Sequence, residues 1–97
     1  MTKLMSNKLK EKKQYYISEL KKLGFKKYGL YNGKNVNIEI TDEEFTLRNW
    51  DIDVVRFVVS IQDKYGYEIE WGMFDESATK KAMNESINQI KQLNNLK

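Results

Sequence analysis

Two apolar runs separated by one turn signal constrain the fold of this 97-residue chain more than any other feature. Residues 54–62 are rich in Val and Ile, whose branched side chains favour strands. Residues 63–66 have the sequence Asp-Lys-Tyr-Gly, with Asp first and Gly fourth in a type I turn, and residues 67–74 alternate apolar and polar side chains. We therefore predict two antiparallel strands. A three-residue hairpin loop would bring the apolar residues to one face in the pairs Ile61–Ile69, Val59–Trp71 and Phe57–Met73.

Alternation of apolar and polar residues also predicts strands upstream. Residues 35–41 alternate strictly, and residues 45–48 do so again after three consecutive carboxylates. A four-residue turn at 41–44 would keep both apolar sets on one face, in the pairs Ile40–Phe45 and Ile38–Leu47. Residues 25–31 are the predicted strand before them. An Asn32-Gly33 turn joins that strand to the next, with Val36 opposite either Gly29 or Tyr28.

A helix is predicted at each end of the chain. From Asn7 to Leu23 the apolar residues share one helical stripe, and Leu23-Gly24-Phe25 has the pattern of a Schellman end. The second helix follows Asp75 or Ser77 as its cap, with the apolar stripe Ala82, Met83, Ile87, Ile90 and Leu93. The sequence therefore predicts a single α+β domain over residues 1–97. An antiparallel meander of four or five strands lies between the helices, and both helices pack on one sheet face.

Missing residue types limit the chemistry. The chain has no Cys and no His, which excludes thiolate nucleophiles, zinc–thiolate sites and histidine general bases. It also has no glycine-rich phosphate loop. We therefore expect a protein that is not an enzyme and that needs no cofactor. An apolar run of the roughly 20 residues that a bilayer requires is missing, and the first residues are followed by charge, so we expect a cytoplasmic protein without membrane contact.

Charge is segregated along the chain. Residues 1–36 carry ten Lys against two Glu, a net charge of +8, and residues 37–76 carry three basic residues against eleven carboxylates, a net charge of −8. Residues 77–97 add four Lys against one Glu, a net charge of +3. Such segregation gives distinct surface patches that steer charged partners. A purely structural alternative is that the basic helices pack beside the acidic sheet and complement it.

Acidic residues beside aromatic ones favour a protein-binding surface, because exposed aromatics are typical interface anchors. The leading hypothesis is a module that binds a host protein. Lys, Asn and Ile are abundant in this chain, as they are in many small phage and mobile-element proteins. A binding module from such a source is expected to inhibit a host nucleic-acid-handling or defence protein. The candidate binding residues are Asp42, Glu43, Glu44, Trp50, Asp51, Asp53, Arg56, Glu68, Glu70 and Phe74.

Two alternatives stay open, and the sequence leaves the oligomeric state undetermined. The first is a nucleic-acid-binding accessory protein, since phosphate binding needs lysines gathered on one surface. Its candidates are Lys8, Lys12, Lys13, Lys21, Lys22, Lys26 and Lys27. The second is a metal-dependent enzyme that uses Glu68 and Glu70, predicted two residues apart on the outer face of the last strand. A solvated polar sheet face explains that pair more simply.

Overall fold

The computed structural model describes residues 5–96 and has a helix at each end of a five-stranded antiparallel sheet. The strands follow one another in chain order, so the sheet is a simple meander. This architecture confirms the predicted α+β fold class. In chain order the elements are α1 (Asn7–Lys22), β1 (Lys26–Tyr28), β2 (Leu30–Asn32), β3 (Asn37–Leu47), β4 (Ile52–Gln62), β5 (Glu68–Phe74) and α2 (Lys80–Asn94).

Local signals set the ends of α1 as predicted. Ser6 lies in extended backbone before the helix, and its hydroxyl accepts a hydrogen bond from the Leu9 N–H at 3.2 Å. At the other end Gly24 has a φ of 98°, a left-handed value that favours glycine. The Phe25 N–H then donates to the Leu20 carbonyl at 3.2 Å, which completes the predicted Schellman motif.

The predicted cap of α2 was wrong. Thr79, rather than Asp75 or Ser77, precedes the helix, and its hydroxyl accepts a hydrogen bond from the Ala82 N–H at 3.1 Å. Asp75 and Ser77 bond to each other instead, since a carboxylate oxygen of Asp75 accepts from the Ser77 N–H at 2.8 Å and from the Ser77 hydroxyl. These two residues therefore form a turn between β5 and the helix.

Both helices pack on the same side of the sheet, here called the helix face. Tyr16 of α1 contacts the sheet directly, with its ring centroid 5.9 Å from that of Phe57 and 5.4 Å from that of Phe74. The opposite side of the sheet, here called the outer face, carries no helix among residues 5–96. The buried side chains of the helix face and the helices form one cluster that includes Leu9, Leu20, Ile38, Val59, Ile61, Met83, Ile87 and Ile90.

The register between β4 and β5 differs from the predicted one by one residue. Phe57 lies opposite Phe74, Val59 opposite Gly72, and Ser60 opposite Trp71. The predicted turn does form, because the Asp63 N–H donates to the Tyr67 carbonyl at 2.9 Å and Gly66 has a φ of 87°. A bulge follows: Gln62 lies opposite Glu68 but Ile61 lies opposite Glu70, which leaves Ile69 as the extra residue.

This bulge moves side chains between the two faces of the sheet. Phe74, predicted to be exposed, is buried beside Tyr16 and Phe57. Trp71 was predicted to belong to the core but is 54% exposed on the outer face, and Met73 is 48% exposed there. Tyr67 is exposed next to the turn. Phe74 fills the edge of the core because its ring completes the aromatic cluster with Tyr16.

Strand β3 is continuous where a turn was predicted at residues 41–44. It pairs with β4 along its whole length, from Asn37 opposite Gln62 to Leu47 opposite Ile52. Two carboxylates in this stretch have cationic neighbours, which favours an extended backbone over a solvated turn. Asp42 accepts from the Lys13 Nζ at 2.9 Å, and Glu43 accepts from the Arg56 Nε at 2.7 Å.

The first hairpin also differs from the prediction. The single strand predicted over 25–31 is two short strands, because Gly29 turns the chain with a φ of 74°. Asn32 lies opposite Asn37, so neither predicted register holds. The loop between them is fixed by α2, whose Asn94 side-chain oxygen accepts from the Asn35 N–H at 2.9 Å.

Candidate protein-binding arm

The distal half of the β3–β4 hairpin, residues 42–56, is here called the arm. β2 pairs with β3 only at Asn37 and Ile38, and β5 pairs with β4 only from Phe57 onward. Within the described part of the chain, no third strand pairs with the arm. The arm thus extends beyond the five-stranded region and contributes to an elongated outline of 47 × 25 × 22 Å.

Apolar side chains continue to the tip of the arm on its outer face. Phe45 lies opposite Val54, and Leu47 lies opposite Ile52. Trp50, in the loop at the tip, is 71% exposed, and Ile52 is 50% exposed. Large apolar side chains exposed together mark interaction surfaces more often than isolated ones do. The arm therefore ends in a partly exposed apolar tip, with Trp50 as its most exposed large side chain.

The loop at the tip has a defined backbone conformation. The Trp50 N–H donates to the Leu47 carbonyl at 3.2 Å, which closes a turn. Asp51 then takes a left-handed φ of 51°, a region that Asp enters more readily than most residues. The turn therefore defines the backbone on both sides of Trp50 and places this residue at the tip.

Charge on the arm is acidic and partly paired. Five carboxylates against Arg48 and Arg56 give it a net charge of −3. Besides its bond to Glu43, the Arg56 guanidinium lies 5.1 Å from the centre of the Phe45 ring, within cation–π range. Thr46 donates its hydroxyl proton to Asp53 at 2.8 Å. These contacts hold side chains of the two strands in register.

The structure brings seven of the ten predicted protein-binding residues together on the arm. They are Asp42, Glu43, Glu44, Trp50, Asp51, Asp53 and Arg56. The remaining three belong to β5. Phe74 is buried, so its predicted exposure was wrong.

Glu68 and Glu70 do not form the predicted pair on the outer face. Glu68 accepts a hydrogen bond from the Ser60 hydroxyl at 2.7 Å on the outer face, whereas Glu70 lies opposite Ile61, a helix-face residue. The bulge at Ile69 separates them. The carboxylates of the chain therefore lie on both faces and do not form one acidic surface.

Sequence reasoning missed Phe45 as a surface residue because it paired Phe45 with Ile40 on the apolar face of the sheet, and it gave Ile52 no role because it placed residues 49–53 in an acidic connection. The length of the apolar pattern was an available signal. β3 and β4 each have 11 residues, whereas β1 and β2 have three residues each and β5 has seven. Strands longer than their neighbours must project beyond the sheet, and their ends then have no third strand beside them.

The predicted nucleic-acid-binding lysines separate into two groups. Lys12 donates to the backbone carbonyls of Glu76 and Ala78, and Lys13 pairs with Asp42, so these two tie α1 to the rest of the fold. The exposed group is found at the end of α1 and the start of β1, and it comprises Lys21, Lys22, Lys26 and Lys27. Lys8 is exposed near the other end of α1.

A shallow depression of about 380 Å³ lies between residues 52–55 of the arm, the start of α1 and the turn after β5. Its lining includes Leu9, Asp53, Val55, Asp75 and Ser77. The hydrogen bonds from Ser77 hold the pKa of Asp75 below its ordinary value, so this carboxyl is ionised at neutral pH. No group of three or more potential metal ligands occurs among residues 5–96.

Comparison with protein families, curated proteins and solved structures finds no match to this chain. Within the described range, neither helix is long and apolar enough to span a membrane. The function proposed for this chain therefore depends on the shape, charge and exposed side chains of the arm.

Proposed function

We propose that this chain is a non-enzymatic protein-binding module that inserts its arm into a cationic cleft of a partner protein. The observation that carries the proposal is the arm itself, a projecting two-stranded hairpin with a net charge of −3 and an exposed Trp50 at its tip. A narrow projection suits a concave partner surface better than a flat one. The acidic charge selects a partner lined with Lys and Arg.

Affinity and steering come from different parts of the arm. Trp50 and Ile52 supply apolar area that becomes buried in the cleft, and Trp is the residue type most enriched among binding hot spots. The carboxylates accelerate encounter and reject acidic partners, but they add less to the final affinity because each must lose water on binding. We therefore assign the anchor role to Trp50.

The finer form of the proposal is inhibition. A cleft lined with Lys and Arg is the surface with which proteins bind nucleic-acid phosphates. An acidic arm seated in such a cleft would compete with the nucleic acid. The target class is thus a host nucleic-acid-handling or defence protein, and the abundance of Lys, Asn and Ile agrees with a phage or mobile-element source for the inhibitor.

The test is affinity capture from a nuclease-treated lysate of a Gram-positive bacterium, with the tagged chain as bait. Trp50→Ala should reduce capture by roughly 30-fold, the effect of losing a hot-spot aromatic. The control is Tyr65→Ala, which removes an even more exposed aromatic from the β4–β5 turn at the opposite end of β4. It should leave capture unchanged.

A second pair of variants separates charge from the anchor. Glu43→Gln, Glu44→Gln and Asp51→Asn together remove three charges from the arm, and Glu11→Gln, Glu76→Gln and Glu85→Gln remove three elsewhere. Only the first set should slow association and weaken its salt dependence. Equal capture by the arm variants and wild type would exclude the arm as the surface that binds the partner. Capture that depends on intact nucleic acid would instead favour the exposed lysines Lys21, Lys22, Lys26 and Lys27.

A further inference from the structure

The two edges of the sheet differ in how they are protected from pairing with another chain. β1 is three residues long, contains Lys26 and Lys27, and ends at the turn of Gly29. Short length and lysines are the usual devices that block edge-to-edge association. β5 has seven residues with no Lys, Arg or Pro, and its protecting features, the exposed Glu68 and Glu70 and the bulge at Ile69, lie in its first three residues. Its exposed side chains include Trp71, Met73 and Ile69.

The regular part of β5 is symmetric about Gly72. The bulge at Ile69 ends its regular pairing on one side, and the turn that begins at Asp75 ends it on the other. Five residues remain between these two features, from Glu70 to Phe74. Gly72 is the middle residue, and Trp71 and Met73 flank it on the outer face.

We propose that two copies of this chain pair through their β5 edges, antiparallel, about a two-fold axis at Gly72. Directly opposite residues in such a pair share a face. On the outer face Trp71 lies opposite Met73 of the second copy, and Met73 lies opposite Trp71 of the second copy. On the helix face Glu70 lies opposite Phe74 of the second copy, and the two Gly72 residues face each other.

The number of paired residues and the side-chain types select this register from its neighbours. Moving the axis by one residue, to Trp71 or to Met73, leaves only three of the five regular residues paired with regular residues of the second copy, because Met73 then meets the bulge at Ile69 or Trp71 meets Asp75. Moving the axis to Glu70 sets two carboxylates opposite each other, which is destabilising, and moving it to Phe74 pairs β5 with the turn beyond it. With the axis at Gly72, all five regular residues are paired and each Trp71 meets a thioether, a favourable contact for an aromatic ring.

Pairing at this edge closes the assembly. The interface is the same patch on both copies, so a dimer forms with no free β5 edge and a ten-stranded sheet. This contact goes beyond the proposed function, because β5 pairs with β4 only from Phe57 onward and the dimer contact uses no residue of the arm. The dimer and the arm's partner therefore use separate surfaces.

Sedimentation of the full chain tests the dimer. Wild type should show a concentration-dependent dimer with a dissociation constant in the micromolar range, as expected for a small interface. Trp71→Lys places a lysine on the edge and should raise that constant at least about tenfold. Tyr28→Lys, on the β1 edge, should leave it unchanged, and circular dichroism should show both variants folded. A wild type that is monomeric throughout the micromolar range overturns the proposal.

Single cysteines test the register, because the chain has no Cys of its own. Gly72→Cys should form a disulfide-linked dimer, since paired residues at the axis lie about 5 Å apart, within reach of a disulfide. A Cβ at Gly72 makes only ordinary contacts, the nearest at 3.7 Å from the Phe74 ring. Glu70→Cys positions lie about 13 Å apart along the strand in this register and should not link. Equal linking by Gly72→Cys, Glu70→Cys and Tyr28→Cys, or linking by Glu70→Cys alone, overturns the register.

Discussion

Tyr16 connects three elements of the protein through the two ends of its side chain. Its ring packs against Phe57 of β4 and Phe74 of β5, and its hydroxyl shares a 2.8 Å hydrogen bond with Ser86 of α2. Burial raises the pKa of the phenol to about 12, and the hydrogen bond to Ser86 lowers it by less. The protonated phenol is therefore the form that the fold selects.

The raised pKa of Tyr16 predicts a specific loss of stability in alkali. The folded-state pKa of Tyr16 lies above the unfolded value of 10. The stabilisation that the neutral, buried phenol gives is therefore fully present below pH 10 and is lost as the pH rises toward 12. A shift of this size corresponds to about 3 kcal/mol in the free energy of unfolding. Tyr16→Phe should cost about 1 kcal/mol at neutral pH through the lost hydrogen bond, yet be free of this alkaline loss.

Urea unfolding of wild type and Tyr16→Phe at neutral and alkaline pH measures both effects. Deprotonation of lysines weakens both proteins alike, so the difference between them isolates Tyr16. The stability difference should shrink and then reverse as the pH passes 10. Parallel losses in the two proteins would contradict the assignment.

At the scale of single elements, local signals determined how much could be predicted from sequence. The start and end of α1 follow from Ser6 and Gly24, whose roles depend only on neighbouring residues. The β4–β5 turn was predictable for the same reason. The register beyond it was not, because both registers bury apolar side chains and only contact with Tyr16 on α1 favours Phe74 over Trp71.

The arm shows the same limit for the candidate site. Its residues could be chosen from sequence because they combine carboxylates with Trp50. Their common position could not, since it depends on where β2 and β5 stop pairing. Predicting a turn at 41–44 followed from treating carboxylates as loop residues, whereas Lys13 and Arg56 provide partners for two of them.

The distal part of the arm should contribute little to global stability, because its large apolar side chains Phe45, Trp50 and Ile52 are exposed. The same substitution at the two ends of β4 tests this. Ile52→Thr, at an exposed position on the arm, should change the free energy of unfolding by less than about 0.5 kcal/mol. Ile61→Thr, at a fully buried position, should cost about 2 kcal/mol or more. Comparable losses in denaturant unfolding would place the arm within the cooperative core.

At the scale of the whole molecule, the charge segregation along the sequence becomes a separation in space. The basic α1 packs against the sheet near the base of the arm, where Lys13 pairs with Asp42, so part of the opposite charge is used within the fold. Residues 43–56 extend beyond this contact and keep an acidic character. The structural alternative, in which the basic helices pack beside the acidic sheet and complement its charge, therefore holds at the base of the arm but not at its tip.

Two arms in one dimer predict avidity, a property that neither surface has alone. On a surface dense in the protein captured through the arm, a dimer can engage two molecules, so its apparent dissociation should be at least about tenfold slower than on a sparse surface. Trp71→Lys, with its arm intact, should dissociate at one rate from both surfaces. Trp50→Ala should bind neither surface well yet still sediment as a dimer. Surface plasmon resonance at two immobilisation densities measures these rates. Equal density dependence for wild type and Trp71→Lys would contradict the coupling of the two surfaces and would leave the arm's own binding to be judged by Trp50→Ala.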